Sequence, residues 1–399
     1  MSTPTLNSRT SILVVGAGPA GLVAAVTLRE RGVAVRIIDE QASDEKRTYP
    51  VIIHPRSSRI LDTLGVVAPL EWRGHTITRL AVYTEGQRRA VLQMPAAGRT
   101  SSGATTLPQD VLRQALLHRL SELGVEVEWK TRLVALEQYA GHVRCNLIRR
   151  ERLEAEKLEW FDVESASIDS DYVIGADGVR SSVRDRLGIG WIPRGPRQIF
   201  AFYDAPDDRA GPEAHLVIHE SQGNSVYPLQ SNVSRFAFQL SVAMPRAPSL
   251  TQLHQLLASR MPWYGRANAT SFEWSGCAEF QPALAERFGE GRVWLAGDAA
   301  HSTGPLGGQS LNVGMHEARD LALRMAQQLG QPGAAPLGVG YAQQRAIEWQ
   351  VLFGLAPSAP LTPQAGDWVK RNLPLLLQAL PASGDDLDDL LDQLHVRAA

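Results

Sequence analysis

Glycines near the start of the chain form a pattern that could bind a phosphate-bearing ligand. The segment Gly16-Ala17-Gly18-Pro19-Ala20-Gly21 directly follows the apolar, β-branched run 11–15. In this spacing the glycines permit a tight turn, a close approach of the backbone to a pyrophosphate, and close packing of a helix on the strand. A helix that begins here also directs N–H groups at the phosphate. The segment predicts a dinucleotide site, and a glycine-rich turn without a ligand is the alternative.

Two adjacent acidic residues complete this pattern. Asp39 follows the next predicted strand, 33–38, so its carboxylate can accept hydrogen bonds from the hydroxyls of a ribose. Glu40 competes for the same role. A strand, a helix and an acid in this order favour the dinucleotide interpretation over a ligand-free turn.

A second segment places a carboxylate at the end of a predicted buried strand. Gly175-Ala176-Asp177-Gly178 follows an apolar run and precedes a short predicted helix. This layout puts the Asp177 side chain and polar backbone at the carboxyl edge of a sheet. Asp-Gly turns are also common where no ligand binds, so both interpretations stay open on this segment alone.

A third segment is the longest ordered string. Gly297-Asp298-Ala299-Ala300-His301 follows an apolar run, so the Asp298 carboxylate can bond hydroxyls of a ligand that crosses the end of the strand. The loop 304–308 then leads into a predicted helix and offers close backbone approach and a helix N-terminus. A small catalytic loop of an unrelated enzyme is the alternative.

The elements around these segments predict an α/β fold. A strand-turn-helix-strand unit opens the chain, residues 191–280 show strand-like alternation with one helical stretch at 250–260, and strand 292–296 with helix 312–330 then resumes the first architecture. The middle segment is therefore an insertion. The predicted division is a dinucleotide-binding domain at 10–190 and 281–330, an inserted β-sheet domain at 191–280, and a C-terminal helical region at 331–399.

Composition limits the classes of function. The chain has 399 residues, 44% of them hydrophobic, and a formal net charge of −2, which indicates a globular protein without a field that attracts nucleic acid or acidic membranes. Its two cysteines, Cys145 and Cys277, form neither a disulfide framework nor a zinc motif. The polar N-terminus and the lack of a run of about 20 apolar residues predict a soluble, cytoplasmic protein.

Together, in this order, the three segments resemble the flavoprotein monooxygenases typified by para-hydroxybenzoate hydroxylase, over about residues 10–330. The resemblance implies a Rossmann-like FAD-binding domain, an inserted β-sheet domain for the substrate, and FAD held non-covalently. It further implies that NADPH or NADH, as a transient reductant, reduces FAD and that O2 then forms a 4a-hydroperoxyflavin. The distal oxygen of this species would hydroxylate an aromatic or similarly electron-rich small molecule.

The resemblance also assigns roles to residues. Gly16, Gly18 and Gly21 would hold the pyrophosphate, Asp39 or Glu40 the ribose, Asp298 the ribityl chain, and Asp177 would serve both FAD and NAD(P)H. His301 is interpreted as structural, and Ser310 departs from the glycine of many relatives. The further residues that would contact FAD are Arg47, Gln109, Pro305, Gly307, Gly308, Leu311 and Asn312.

The substrate site is a hypothesis. In this fold the inserted sheet covers the flavin, so alternate residues of its strands between about 199 and 242 should face a cavity. Tyr203, His219 and Tyr227 could hydrogen-bond a phenol or shift its proton, and Tyr49 is a fourth candidate from the other side. Packing of the sheet is the alternative for each of the four.

Other functions on the same fold stay open. A flavin halogenase is expected to carry Trp-x-Trp-x-Ile-Pro, and here only Gly190-Trp191-Ile192-Pro193 is present. An epoxidase or a prenyl-chain reductase would differ only in the pocket, and the reductase would turn over without dioxygen. A flavin-binding regulatory or scaffolding protein without turnover would oxidise no NAD(P)H.

Overall fold

The computed structural model describes most of the chain, in nine segments. These are residues 8–42, 50–66, 73–96, 103–152, 160–241, 248–264, 271–331, 337–355 and 361–396. Within them, no helix is both long and apolar enough to cross a membrane.

The strands form two large and two small sheets. In chain order they are β1 (Ser8–Val15), β2 (Val35–Ile38), β3 (Pro50–Ile53), β4 (His75–Ile77), β5 (Arg79–Thr84), β6 (Gln87–Gln93), β7 (Ala104–Pro108), β8 (Val127–Glu128), β9 (Thr131–Gln138), β10 (Val143–Arg152), β11 (Trp160–Gly175), β12 (Trp191–Pro193), β13 (Gln198–Pro206), β14 (Glu213–His219), β15 (Gln222–Pro228), β16 (Val233–Leu240), β17 (Trp274–Phe280), β18 (Ala283–Ala285), β19 (Gly289–Glu290), β20 (Val293–Leu295) and β21 (His301–Ser302).

Helices cover the sheets and dominate the C-terminal part. They are α1 (Pro19–Glu30), α2 (Pro55–Thr63), α3 (Gln109–Glu122), α4 (Ser182–Arg186), α5 (Leu250–Arg260), α6 (Gln309–Gly330), α7 (Leu337–Leu352), α8 (Asp367–Ala379) and α9 (Asp385–Asp392).

The first large sheet, called the FAD sheet below, brings the three sequence segments to one edge. Its strands are ordered β19-β20-β11-β1-β2-β8, with β10 and β9 continuing from β11. Strands β20, β11, β1 and β2 run parallel to one another, and Val15 is paired with both Gly175 and Ile38 while Gly175 is paired with Leu295. Because parallel strands end at the same edge, the residues that follow Val15, Ile38, Gly175 and Leu295 lie side by side.

The core of this domain follows from apolar composition on both faces of the sheet. Residues 12–15 of β1 and most of α1 from Gly21 to Leu28 are buried. Helix α1 packs against α3 and α6, so it is covered on the side away from the sheet as well. Continuous apolar runs are typical of strands that are buried on both faces.

The second large sheet, called the substrate sheet below, has the order β17-β13-β16-β15-β14-β5-β6. Strands β13 to β17 come from the predicted insertion, and α5 has the predicted limits. The division at 191–280 nevertheless omits β5 and β6. Strand β5 pairs in parallel with β14, an association between distant segments that local sequence patterns do not reveal.

The C-terminal helices pack against the FAD-binding domain, as the helical prediction for 331–399 expects. The hydroxyl of Tyr341 on α7 donates to the carbonyl oxygen of Leu295 on β20 at 2.8 Å. Trp349 on the same helix is fully buried. The architecture is therefore the predicted one: an α/β FAD-binding domain, an inserted sheet and a helical C-terminal region.

Candidate active site

A cavity of about 1000 Å³ lies between the carboxyl edge of the FAD sheet and the substrate sheet. All three sequence segments contribute to its wall. Of the predicted cofactor residues, those that line it are Gly16, Gly18, Ala20, Asp39, Glu40, Gln109, Asp177, Asp298, Pro305, Gly308 and Leu311. Arg47 and Tyr49 lie outside the described residues.

The three glycines of the first segment have different roles. Gly16 has φ +105°, and a Cβ there would lie 2.2 Å from the carbonyl oxygen of Ala176. A Cβ at Gly21 would lie 1.9 Å from the carbonyl oxygen of Gly16, so this glycine lets α1 pack on the turn. At Gly18 a Cβ would meet nothing within 4 Å. Gly16 and Gly21 therefore shape the turn, and Gly18 keeps the cavity side open for a ligand.

Helix α1 presents its N-terminus to this opening. Gly18 is the N-cap, and no side chain caps the first turn. Unsatisfied N–H groups and the partial positive charge of a helix N-terminus are the usual partners of a pyrophosphate. The segment therefore offers the donors that the sequence predicts.

The side chains of Asp39 and Glu40 lie in different environments. The Asp39 carboxylate accepts hydrogen bonds from the backbone N–H groups of Ala17 and Gln41, at 2.7 and 2.8 Å, so it braces the glycine-rich turn. Glu40 is exposed and lines the cavity. Thr131, Arg132 and Leu133 of β9, which the sequence gives no reason to select, line the cavity as well.

Asp177 caps a helix. Its carboxylate accepts hydrogen bonds from Ser181 Oγ at 2.6 Å, from Ser182 N and Oγ at 2.7 and 2.8 Å, and from Val183 N at 3.2 Å. Burial raises the pKa of this carboxyl, against the effect of these hydrogen bonds. Asp177 lies at the cavity, but its oxygens are engaged by the first turn of α4. Asp177 thus holds the turn to α4, and its predicted contact with FAD and NAD(P)H stays a prediction.

Asp298 is positioned by a buried polar network. The Asp298 side chain is exposed to the cavity, whereas the neighbouring Gly297 donates its backbone N–H to Glu317 Oε2 at 3.0 Å. Glu317 also bonds His301 Nε2 and Trp349 Nε1, both at 2.7 Å. His301 is fully buried and does not line the cavity, which agrees with the structural role inferred from the sequence.

The loop before α6 differs from the prediction at two residues. Pro305, Gly308 and Leu311 line the cavity, and Gly308, with φ +67°, is the N-cap of α6. Asn312 is fully buried and does not line it; its amide donates to the carbonyl of Ile52 and accepts from His54 N, both at 2.8 Å. Asn312 therefore fastens α6 to β3 and to the residue that follows this strand.

Gly307 also lies away from the cavity. A Cβ at this position would lie 2.3 Å from the carbonyl oxygen of Gln378 on α8. The lack of a side chain at Gly307 thus allows the loop to approach the C-terminal helices, and its predicted role beside the flavin ring stays a prediction.

Strands β13, β15 and β16 present alternate residues to the cavity, with a parity that excludes Tyr203, whereas β17 lines the cavity with every residue from Trp274 to Phe280. The residues of this sheet that line the cavity include Phe202, Ser225, Tyr227, Arg235, Ala237, Trp274 and Gly276. Tyr203 points to the opposite face, where it packs with Phe238 and Phe272. His219 lies at the end of β14, 3.9 Å from Glu85, and does not line the cavity.

Tyr227 is the one of the three described candidates that reaches the cavity. Its hydroxyl donates to the carbonyl oxygen of Leu306 at 2.8 Å, which ties the substrate sheet to the loop before α6. Burial raises the pKa of the Tyr227 hydroxyl, so this group is neutral and serves as a hydrogen-bond donor rather than as a base.

A buried ion pair in the cavity wall was missed by sequence reasoning. Arg235 Nε and Nη2 donate to the two carboxylate oxygens of Asp204, each at 2.7 Å, and both side chains are nearly buried. The guanidinium carbon lies 4.9 Å from the ring centre of Trp274. The predicted alternation groups Asp204 and Arg235 with Phe202 and Ala237 on one face of the sheet, but it does not say which face lines the cavity.

These residues fit FAD. Gly18 leaves open the space that a Cβ would fill, the N-termini of α1 and α6 have no side-chain caps, and Glu40 and Asp298 supply carboxylates for hydroxyl groups. The donors are thus placed for phosphates, and the carboxylates for a ribose and a polyol chain.

Comparison with known families agrees with this fit. Residues 9–352 match the family model described as FAD binding domain. The chain belongs to this family, and FAD is its cofactor.

Among individual proteins, the 6-methylpretetramide 4-monooxygenase of Streptomyces rimosus is 27% identical over 319 residues, which cover 79% of this chain and 55% of that protein. The pentachlorophenol 4-monooxygenase of Sphingobium chlorophenolicum is 26% identical over 362 residues, 89% of this chain and 65% of that protein. The chain thus spans less than two thirds of each. The crystal structure of a p-nitrophenol 4-monooxygenase from Pseudomonas putida shares the fold, with a TM-score of 0.70, 20% identity, and 99% and 100% of the two chains covered.

Proposed function

We propose that the protein is an FAD-dependent monooxygenase that hydroxylates an aromatic or electron-rich small molecule with O2 and with NADPH or NADH as reductant. The observation that carries the proposal is the continuous cavity, which joins the FAD-binding edge of one sheet to an aromatic wall of the other. The two curated relatives are named as monooxygenases, one of them for pentachlorophenol. Bound FAD, once reduced, supplies the activation of dioxygen.

The chain itself contributes binding, orientation and exclusion of water. Phe202, Trp274 and Tyr227 give the substrate sheet an aromatic surface toward the cavity, suited to a flat ring. Tyr227 holds the loop before α6 in place through Leu306. A substrate stacked on this aromatic wall would displace water from the reacting atoms and so protect reactive oxygen species.

Arg235 supplies a fixed positive charge. Asp204 holds two of its donor nitrogens, so the guanidinium cannot turn away from its place in the wall. An oriented charge in a site of low polarity stabilises negative charge that develops nearby, for example on a phenolate, which reacts with an electrophilic oxygen more readily than the phenol.

Ser225 is a polar residue of this wall whose hydroxyl can form a hydrogen bond with the substrate. Its Oγ is buried and has no hydrogen-bond partner among the described residues. We expect it to bond a polar atom of the substrate, so Ser225→Ala should raise the KM of the substrate about tenfold with a smaller change in kcat. Ser170→Ala, a buried serine in β11 remote from the cavity, is the control. If Ser225→Ala had the same substrate KM as the Ser170→Ala control and the wild type, Ser225 would not belong to the substrate site.

The function itself is tested with the purified yellow protein. Candidate phenols and polycyclic aromatics are incubated with NADPH or NADH under ¹⁸O2, and the product is analysed by mass spectrometry. Incorporation of one ¹⁸O per hydroxylated product supports the proposal, and an epoxide product indicates the epoxidase alternative. Reduction of the substrate without O2 would establish a reductase, and a lack of NAD(P)H oxidation with any substrate would indicate a flavin-binding protein without turnover.

A further inference from the structure

A second cavity, of about 480 Å³, lies between α2, α6 and α7. It shares no lining residue with the large cavity, so it is separate from the FAD and substrate site. Its wall is rich in arginine: the charged and titratable residues that line it are Arg56, Arg59, His316, Arg319, Asp320 and Arg345.

Carboxylates compensate only part of this positive charge. Arg59 pairs with Asp386 and Arg345 with Glu348, both at 2.7 Å, while Asp320 pairs with Arg324 at 2.9 Å. Asp386, Glu348 and Arg324 do not line the cavity.

Two arginines are not held in an ion pair, although the charge of Arg56 acts at longer range on the carboxyl of Glu348. Arg56 on α2 and Arg319 on α6 form no ion pair with any residue in the part of the chain that the structure describes. Both are half-buried and line the cavity. A concave, partly desolvated wall with excess guanidinium charge is a feature of sites that bind anions.

His316 adds a buried imidazole ring to this wall. Its Nε2 lies 2.9 Å from Ser57 Oγ, and its Nδ1 is buried without a hydrogen-bond partner among the described residues. Burial, together with the nearby charges of Arg56, Arg345 and Arg59, holds the pKa of His316 well below its usual range. When Nε2 of the neutral ring accepts from Ser57, the proton resides on Nδ1, which can then donate to an anion.

We propose that this cavity binds a phosphate group, either orthophosphate or the phosphate of a monoester. Arg56 and Arg319 lie on different helices and can donate to different oxygens of one tetrahedral dianion, with the His316 Nδ1–H as an uncharged third donor. Guanidinium groups match phosphate oxygens in geometry as well as charge. The volume exceeds that of one phosphate, so the rest of an ester has room.

The binding experiment uses the FAD-loaded protein and orthophosphate as the probe. Isothermal titration at constant ionic strength should give saturable binding to the wild-type protein, weakened about tenfold or more in Arg319→Gln and in Arg56→Gln. Arg31→Gln removes the same charge from an exposed position outside the cavity and should bind like the wild type. Thermal melting without phosphate verifies that each variant is folded.

Two results would overturn the site. One is a lack of saturable heat with orthophosphate in the wild-type protein. The other is equal affinity in the folded Arg319→Gln and Arg56→Gln variants and in Arg31→Gln, which would mean that phosphate binds elsewhere.

Competition with NADPH and NADH shows which molecule carries the phosphate that binds in this cavity. If the 2′-phosphate of NADPH occupies the cavity, NADPH competes with orthophosphate, NADH does not, and Arg319→Gln raises the KM of NADPH alone; this arm rests on the proposed function. If orthophosphate binds unchanged in the presence of saturating NADPH, the ligand is free phosphate or another monoester. The titration itself needs no turnover, so its outcome is independent of whether the enzyme hydroxylates any substrate.

Discussion

The two walls of the large cavity are built from different parts of the polypeptide. On the FAD side the ligand-facing groups are largely backbone, held by Gly16, Gly18 and Gly308 at strand ends and helix starts. On the substrate side they are side chains, such as Tyr227 and Arg235, that project from one face of a sheet. A backbone cradle is specified by glycine spacing, whereas a side-chain wall depends on which face of each strand points inward.

The difference also appears in what each wall tolerates. Gly16 and Gly21 are in contact with backbone atoms that cannot move without displacing a strand. In the substrate wall a single side chain can be substituted without displacing the backbone, because each side chain makes its own contacts. We therefore expect substitutions in the FAD wall to affect folding or FAD binding, and substitutions in the substrate wall to affect the fate of the substrate.

The largest effect is expected for Gly16→Ala. The new Cβ would lie 2.2 Å from the Ala176 carbonyl oxygen on a residue with φ +105°, so β1 and β11 would have to separate. We expect the free energy of unfolding of the FAD-free protein to fall by about 3 kcal/mol or more, measured by urea denaturation.

Gly18→Ala is the matched control for this comparison. A Cβ at Gly18 meets nothing within 4 Å, so the FAD-free protein should be as stable as the wild type while FAD affinity falls. If both variants lost the same stability, or if both kept it, the distinction between a glycine that shapes the turn and one that opens it would be wrong.

A smaller effect, of about 2 kcal/mol, is expected for a buried histidine that contacts the loop before α6. His54 after β3 contacts the Gly307 carbonyl oxygen through Nε2 at 2.7 Å and Ser383 Oγ through Nδ1 at 3.2 Å. Burial lowers the pKa of His54 to about 4, against the hydrogen bond to Gly307. Because the unfolded chain binds this proton below about pH 6.5, stability is present above that pH and is lost as the pH falls toward 4.

The measurement is urea denaturation at pH 7.5 and pH 5. His54→Gln can keep one hydrogen bond to Gly307 but cannot titrate, so its loss of stability between these pH values should be about 2 kcal/mol smaller than that of the wild type. Identical losses would show that His54 does not control this transition and that other buried histidines, such as His215 and His316, do.

The sequence predicts the FAD side of the molecule far better than the substrate side. The three segments, the fold and helix α5 follow from glycine spacing and local periodicity. The pairing of β5 with β14 does not, because it joins segments that are distant in the chain. Strand parity is equally hidden, since a shift of one residue exchanges the faces, and this is why Tyr203 was selected and Arg235 was not.

Roles that depend on distant partners were also beyond the sequence. Asn312 fits the family string for the flavin loop, but its partners are the backbone groups of Ile52 and His54, which local patterns cannot place beside α6. Asp177 has local partners instead, because the serines that it contacts lie at the start of the helix that follows directly.

Asp298→Ala tests the carboxylate of the FAD wall that the sequence selected. Asp298 is exposed and lines the cavity, and the loss of its carboxylate should weaken FAD binding by about 1.5 kcal/mol, which is roughly tenfold. FAD affinity is measured by the quenching of flavin fluorescence, with Asp298→Asn as the conservative variant. Wild-type affinity in Asp298→Ala would remove this residue from the cofactor site.

The smallest effect separates the two faces of the substrate sheet. Tyr227 on β15 faces the cavity and donates to Leu306, whereas Tyr203 on β13, next to the cavity-lining Phe202, faces the opposite side. Tyr227→Phe loses one buried hydrogen bond, worth about 1 kcal/mol, and frees the loop before α6. We expect the product formed per NAD(P)H consumed to fall about two- to fivefold in Tyr227→Phe, because a looser loop admits water to the site.

Tyr203→Phe is the control, because it removes a tyrosine hydroxyl from the opposite face of the sheet. In this variant the product formed per NAD(P)H consumed should equal that of the wild type. A loss of coupling in Tyr203→Phe with none in Tyr227→Phe would mean that the assigned parity of this sheet is reversed.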